Sequence, residues 1–462
     1  MEISEDTIQN VVKEVIAKMQ VVGSAKEMHG VFANMNDAVA AAKKADLVVR
    51  KMSMDQRERI ISIIRKKTHE NAEVMAHMAV EETGMGNVGD KIIKHHLVAD
   101  KVPGTEDITT EAYSGDQGLT LVERGPFGVI GAITPSTNPS ETALANAIGM
   151  IAAGNTVVFN PHPAAKKTTI FAINLINEAS IEAGGPDNVA CTVENPSLES
   201  SDVMLSHKDI QLIAATGGPG VVTAVLKSGK RGIGAGAGNP PAFVDETADL
   251  KKAAQDIVNG CTFDNNLPCI AEKEIVAIDS ICEELMHYMV KDQGCYMIDK
   301  DEQDKLTAVV LKGGKLNRNC VGRDAKTLLE MIGISVPANI RCITFVGPME
   351  HPLIAEELMM PILGVVKAEN FNDAVEKCLW LEHGNRHSAH IHSKNIDNIT
   401  EYARIMDTAI LVKNGPSYAA LGFGGEGICT FTIASRTGEG LTSAKTFTKA
   451  RRCVMSESLC IR

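Results

Sequence analysis

Cys269 stands in Phe263-Asp264-Asn265-Asn266-Leu267-Pro268-Cys269-Ile270, where an Asn-Asn pair and a proline read as a loop. A loop cysteine can face a cleft, and nearby backbone amides can lower its pKa and favour the nucleophilic thiolate. The competing reading is a cysteine buried at a helix start. A second stretch, Ile133-Thr134-Pro135-Ser136-Thr137-Asn138-Pro139-Ser140-Glu141-Thr142, ends an apolar run in a polar turn with two prolines before a helix. The Asn138 carboxamide is suited to donate to an oxyanion; otherwise Asn138 is a turn residue ahead of Pro139. Gly217-Gly218-Pro219-Gly220 also follows an apolar run and opens a helix, so its amides can face a pyrophosphate. The run from Gly232 to Gly238 reads as flexible, and neither glycine run is the GxGxxG fingerprint. Glu357, close before Pro361, either sits in solvent or accepts hydrogen bonds from a ribose. Alternation places His390 and His392 on one face of a strand just after His387. No cysteine or acid with ligand spacing accompanies them, so we expect no metal there and a structural or proton-shuttling role instead.

These residues need elements to position them. Helical periodicity covers 35–51, 54–83 and 86–101, and Gly115 and Gly118 suggest a hairpin over 109–123. From Gly125 short apolar runs alternate with helical stretches: strands at 129–134, 155–159 and 210–215, helices at 141–153, 164–183 and 221–228. Further strand candidates fall at 241–244, 275–278, 343–346, 364–368 and 389–392. Repeated units of this kind imply parallel sheets covered on both faces, an α/β fold. Ligands in such sheets bind beyond the carboxyl ends of the strands, which is where the Thr134–Asn138 and Thr216–Gly218 turns fall.

The chain has 462 residues, more than one hydrophobic core holds, so two or three domains are expected. A net charge of −12 argues against nucleic-acid or anionic-membrane binding, and no long apolar stretch suggests a membrane span. The 11 cysteines are odd in number, form no CxxC pair and follow no secretory signal, which points to a reducing cytosol with most of them inert. Residues 1–20 carry Ile8, Val11, Val12, Val15, Ile16 and Met19 at helical spacing, an amphipathic helix, and 21–30 read as a linker.

In this order the segments GPFGVIGAITPSTNPSET (125–142), AAGNTVVFNPHPAAKK (152–167), ATGGPGVV (215–222), IGAGAGNPPAFVDETADL (233–250) and FDNNLPCIAEK (263–273) resemble the aldehyde dehydrogenase superfamily, and within it the coenzyme-A-acylating enzymes of bacterial microcompartments, the propionaldehyde dehydrogenase type. The resemblance implies Cys269 as nucleophile and Asn138, with the Cys269 N–H, as oxyanion hole. It implies an NAD site from Thr134, Pro135, Asn160, Pro161, His162, Thr216, Gly217 and Gly218, with Glu357 on the nicotinamide ribose. It further implies two parallel-sheet α/β domains plus a small β oligomerisation arm. The cofactor-binding domain would cover 31–108 and 125–236, the catalytic domain 237–422, and the arm 109–124 and 443–462. A homodimer or homotetramer, a small aldehyde such as propionaldehyde or acetaldehyde, NAD and coenzyme A as partners, and a place in the bacterial cytoplasm inside a microcompartment complete the expectation. Residues 1–20 would address shell proteins.

Two departures sharpen it. Hydrolytic members carry a glutamate base where this chain has Gly234, and glycine cannot activate water. A thioester on Cys269 would then await a stronger nucleophile, such as the thiol of coenzyme A; a hydrolytic enzyme giving the free acid is the alternative. Hydrolytic members also carry Lys-Pro-x-Glu where this chain has Asn160-Pro161-His162-Pro163. With that acid gone, an anionic ribose phosphate of coenzyme A is less repelled, and Lys166, Lys167 or His162 could meet it.

Overall fold

The computed structural model describes residues 28–461. The helix expected over 1–20 and most of the linker over 21–30 therefore lie outside the described residues.

After the short strand Val31–Phe32 come three helices, Met35–Val49, Met54–Thr83 and Val88–Lys101. Their starts are written in the sequence: Asn34, Ser53 and Asn87 each cap the first turn with a side-chain oxygen, Ser53 in a reciprocal capping box with Gln56. The middle helix buries Ile60, Ile61, Ile64, Met75 and Ala79 along one stripe and ends at Gly84, whose φ of 69° is the left-handed cap that glycine adopts freely.

The first sheet has six parallel strands in the spatial order Val31–Phe32, Ala190–Val193, Thr156–Pro161, Val129–Thr134, Ile210–Thr216, Arg231–Ala235. Both faces are covered, by helices such as Pro139–Ala152 and Lys166–Glu182 over one apolar cluster and Met35–Val49 over another. That is why its strands read as unbroken apolar runs. The strand order reverses between Val129–Thr134 and Ile210–Thr216, so the crevice at this switch point opens between Thr134 and Thr216.

The second sheet is parallel too, with seven strands in the order Cys295–Met297, Cys342–Val346, Ile362–Ala368, Glu274–Ile278, Pro241–Val244, Ser388–His392, Ile410–Lys413. The hairpin Glu111–Gly115 and Gly118–Pro126 forms, and the distant strand Thr448–Ser456 joins it antiparallel.

One reading changes. The run from Gly232 to Gly238 is not simply flexible: its first half lies in the edge strand Arg231–Ala235. Its glycines are needed because the helix Pro219–Lys227 presses on it, so that a Cβ on Gly232 would come 2.6 Å from Val225 and one on Gly234 2.7 Å from Val222.

Candidate active site

The loop carrying Cys269 connects the helix Leu250–Thr262 to the strand Glu274–Ile278. Cys269 sits in a turn and is partly exposed, whereas eight of the cysteines among the described residues are buried. Five residues upstream the backbone does something rare. Asp264, Asn265 and Asn266 take φ values of 47°, 52° and 66° in succession, a left-handed turn built from non-glycine residues. Asp and Asn tolerate this region best, though each still carries strain, of order 1 kcal/mol per residue. Side-chain bonds hold the turn in place. The Asn265 carboxamide donates to the Gly322 carbonyl at 2.9 Å. That of Asn266 donates to the Cys261 and Glu272 carbonyls at 3.0 and 2.9 Å. Lys273 Nζ, buried, donates to the Asn266 carbonyl at 3.0 Å and to its side-chain oxygen at 2.6 Å.

Surroundings converge on the cysteine. Gly238 is so close that a Cβ there would lie 3.0 Å from the Cys269 carbonyl and 2.9 Å from the His387 ring. The Gly238 N–H also lies against the Glu357 carboxylate. His390 Nε2 donates to the carbonyl of Ile270 at 3.0 Å, bracing the turn from the neighbouring strand. His387 Nδ1 pairs with the Ser388 hydroxyl at 2.9 Å, and its Nε2 is buried without a partner. Burial pushes His387 and His390 down to about 4, so both are neutral near pH 7. Among the described residues, no group of three or more histidine, cysteine or acidic side chains is arranged to hold a metal.

The Cys269 thiol differs from the sequence expectation. Its pKa is not lowered: burial, then the Glu357 charge, pushes it up to about 12, with Lys273 and the Cys269 N–H opposing. The protein without ligands therefore rests with a thiol, and the thiolate has to be made when substrate is present.

Asn138 begins the helix Pro139–Ala152 at the end of the Val129–Thr134 strand and is 8% exposed. Asparagine at that position ordinarily caps with its side chain, yet this one makes no capping bond. Its Oδ1 instead accepts from Lys94 Nζ, which also binds Asp264. Asn138 and the Cys269 loop are thus tied to the same ammonium. Sequence reading missed this network, made of Lys91, Lys94, Asp264 and Glu141, all fully buried. The available signal was helical: Lys91, Lys94 and His95 share the stripe of Val98 on the helix Val88–Lys101, and lysine in an apolar stripe marks a buried charge.

At the switch-point crevice the sequence-read residues divide. Pro135, Gly217 and Gly218 are at least partly open, and a Cβ on Gly218 would meet nothing within 4 Å. The Thr134 hydroxyl is buried without a partner. The Gly217 N–H, expected to face phosphate, is taken by the Ala235 carbonyl at 3.1 Å. That leaves the Gly218 and Gly220 amides at the helix start. The Thr216 hydroxyl pairs with Thr432 at 2.8 Å. The Asn160 carboxamide is engaged by Ser200 and Ser201 at 2.7 and 2.5 Å. Thr216 and Asn160 therefore shape the edge and leave its polar contacts to others. Pro161 is buried at the strand end and His162 is exposed, its imidazole pulled below its usual range by burial and then by Arg318. Arg318, from the other half of the chain, is a further cation at this edge.

The expectation of an acid-free ribose site needs one correction. Glu82 reaches from the end of the Met54–Thr83 helix to accept from the Lys167 and Thr168 amides at 2.8 and 2.9 Å. A carboxylate thus caps the Lys166–Glu182 helix from outside, where the helix dipole favours it.

Just past the cysteine loop, Glu272 is buried with Oε1 bonded to the Ser417 N–H at 2.9 Å and Oε2 unpartnered. Burial raises its carboxyl from 4.5 to about 8. Across that window the folded state holds a proton that the unfolded state has lost, so this group's contribution to stability falls as pH rises. Glu272→Gln, neutral in both states, is expected to gain on the parent by up to about 1.4 kcal/mol per pH unit between pH 4.5 and 8. Unfolding midpoints of both proteins at the two ends of the window check this; a difference independent of pH would contradict it.

Residues 6–444 match the aldehyde dehydrogenase family. The chain is 45% identical over 434 residues to a propanal dehydrogenase (CoA-propanoylating) of Salmonella typhimurium, covering 94% of this chain and 93% of that one. A propionaldehyde dehydrogenase from the fucose utilisation bacterial microcompartment of Clostridium phytofermentans superposes with a TM-score of 0.93 at 76% identity, covering 94% and 100% of the two chains. The Rhodopseudomonas palustris propionaldehyde dehydrogenase, solved with bound CoA and an acylated cysteine, gives 0.92 at 52% identity, covering 94% and 99%.

Proposed function

The chain belongs to the aldehyde dehydrogenase family, and from that premise we propose that it oxidises a short-chain aldehyde such as propionaldehyde or acetaldehyde and transfers the acyl group from a Cys269 thioester to coenzyme A. The observation that carries this reading is that the nucleophile Cys269 is retained while glycine stands at 234, where hydrolytic relatives carry their base. Asn138 and, through Asp264, the loop that carries Cys269 are tied to the same Lys94 ammonium. Gly234, where a water-activating glutamate would stand, is pressed against Val222 with no room for a Cβ. The dependence of NADH formation on coenzyme A is its test.

In the reaction the Cys269 sulfur bonds to the aldehyde carbon and the carbonyl electrons move onto oxygen. The Asn138 NH2 and the Cys269 N–H receive that oxyanion, a donor pair of the kind worth about 3 kcal/mol per donor. A thiol held at about 12 needs a base as attack begins. His387, with its buried Nε2 unpartnered and its ring against Gly238, which also packs on the Cys269 carbonyl, would accept the proton only as the S–C bond forms, because an imidazole held at about 4 cannot ionise the free thiol beforehand. A nicotinamide dinucleotide bound at the switch-point crevice would supply the hydride acceptor. Pro135, the Gly218 and Gly220 amides and the Thr134 hydroxyl would hold it, with Glu357 on its ribose. Loss of hydride from the tetrahedral carbon leaves the acyl group on sulfur. With no carboxylate at Gly234, water is a poor competitor, and the coenzyme A thiolate displaces Cys269.

Lys166, Lys167 and Arg318 supply positive charge for a ribose phosphate at the same edge, and His162, its imidazole pKa lowered by burial and by Arg318, offers a neutral hydrogen-bonding ring there. Coenzyme A at high concentration is therefore expected to inhibit competitively against NAD in initial-rate kinetics; a noncompetitive pattern would separate the two sites. The exposed ribbon of Glu111–Gly115, Gly118–Pro126 and Thr448–Ser456, with Tyr113 59% and Val454 67% exposed, serves as the oligomerisation arm of a homodimer or homotetramer; isolated ribbons of this kind are marginal alone. Residues 1–20 address the enzyme to microcompartment shell proteins. Their deletion should leave turnover intact and end co-purification with shells, and a truncated protein still found in shells would refute the assignment.

A further inference from the structure

The buried charges beneath Asn138 have no part in the steps above. Lys91 and Lys94 are fully buried on the helix Val88–Lys101 and face two carboxylates, Asp264 and Glu141. Lys91 donates to the Thr137 carbonyl at 3.1 Å and to Asp264 at 3.0 Å. Lys94 donates to Asn138 Oδ1 and Asp264, with Glu141 3.2 Å away. Asp264 also accepts from the Asn87 N–H at 2.9 Å, and its own N–H donates to Asp90 at 2.7 Å. The two ammonium groups thus face the two buried carboxylates Asp264 and Glu141, with Asp90 a third carboxylate at the cluster's edge.

Its consequence for Asn138 follows from donor inventory. A carboxamide can present either its oxygen or its NH2 to the cleft, and in the oxyanion hole only the NH2 stabilises negative charge. An ammonium has donors and no acceptor. Flipping Asn138 would set NH2 against the Lys94 ammonium, donor to donor. The carbonyl end is therefore fixed on Lys94 and the NH2 points away from it.

We propose that Lys94 is a positioning residue for the oxyanion hole: it selects the productive flip of the Asn138 carboxamide and, through Asp264, locks that donor to the left-handed turn that carries Cys269. Both halves of the hole, one on each sheet's connecting loop, are then registered by one ammonium. The inference rests on the reading of Asn138 as the oxyanion donor.

A double-mutant cycle in the full-length enzyme tests it, with kcat, KM and NAD affinity measured for the parent, Asn138→Ala, Lys94→Met and the double variant. Asn138→Ala is expected to lower kcat by about 10²–10³-fold. Lys94→Met should lower kcat by about 10-fold or more, leave NAD affinity within about twofold, and cost less than about twofold further when Asn138 is already alanine. If Lys94→Met alone does not fold, Lys94→Met with Glu141→Gln removes one cation and one anion together, keeps the Lys91–Asp264 pair, and enters the same cycle. Equal losses in both backgrounds, or no loss of kcat on removing Lys94, would overturn the inference while leaving the oxyanion reading standing. Full activity in Asn138→Ala would overturn both.

Discussion

Cys269→Ala is expected to abolish aldehyde-dependent NADH formation, by at least about 10⁴-fold in kcat, because the acyl group would have no sulfur to reside on. No other cysteine can substitute. Eight are buried, Cys453 is exposed on the outer ribbon, and Cys460 lies beyond it near the chain end. The fold should survive, since the substitution removes a single sulfur atom and the loop is held by Asn265, Asn266 and Lys273 rather than by the thiol. A melting temperature close to the parent's, together with loss of turnover, would separate chemistry from folding. Appreciable residual turnover would mean that hydride leaves an aldehyde hydrate without covalent catalysis.

Asn138→Ala carries the next largest effect, a fall in kcat of about 10²–10³-fold with nicotinamide cofactor affinity unchanged. The side chain caps nothing in the helix it begins, so its removal leaves the helix start as it was, while its backbone carbonyl continues to accept from the Thr142 N–H at 3.1 Å. Asn138→Asp is a sharper version. It keeps an acceptor for Lys94 but places an oxygen where the NH2 was, and it should be at least as impaired. Steady-state kinetics on the two variants, with cofactor titration, check both statements. A loss expressed in KM alone would assign Asn138 to substrate binding.

The parallel-sheet plan was legible because both faces of each sheet are covered, so a strand such as Val129–Thr134 is an apolar run with sharp ends, and it ends at the same residues in the structure. The hairpin was legible for a similar local reason, its glycines marking the turn. Arg231–Ala235 was not, since its glycines answer to Val222 and Val225 on the helix beside it, a packing demand with no local signature. The short strand Ala190–Val193 carries a cysteine and a threonine and offers no period to read.

The site divides along the same line. Residue types revealed which groups were capable of the chemistry, and the family resemblance supplied their roles. Direction was hidden. Thr216 and Asn160 turn their polar atoms into the protein, and Glu82 reaches the Lys166–Glu182 helix from 85 positions away in the chain. The Lys94–Asp264 contact spans 170 positions, beyond any motif. The rise of the Cys269 pKa is likewise a property of assembled burial and of Glu357, neither of which a loop sequence contains.

The central claim is that the thioester on Cys269 is released to coenzyme A and not to water, and NADH formation from propionaldehyde and NAD, followed with and without coenzyme A, tests it most directly. Steady turnover only when coenzyme A is present, with a single stoichiometric burst in its absence, is the predicted result. Equal steady turnover without coenzyme A would show that a group other than residue 234 activates water, and the protein would then be a hydrolytic dehydrogenase.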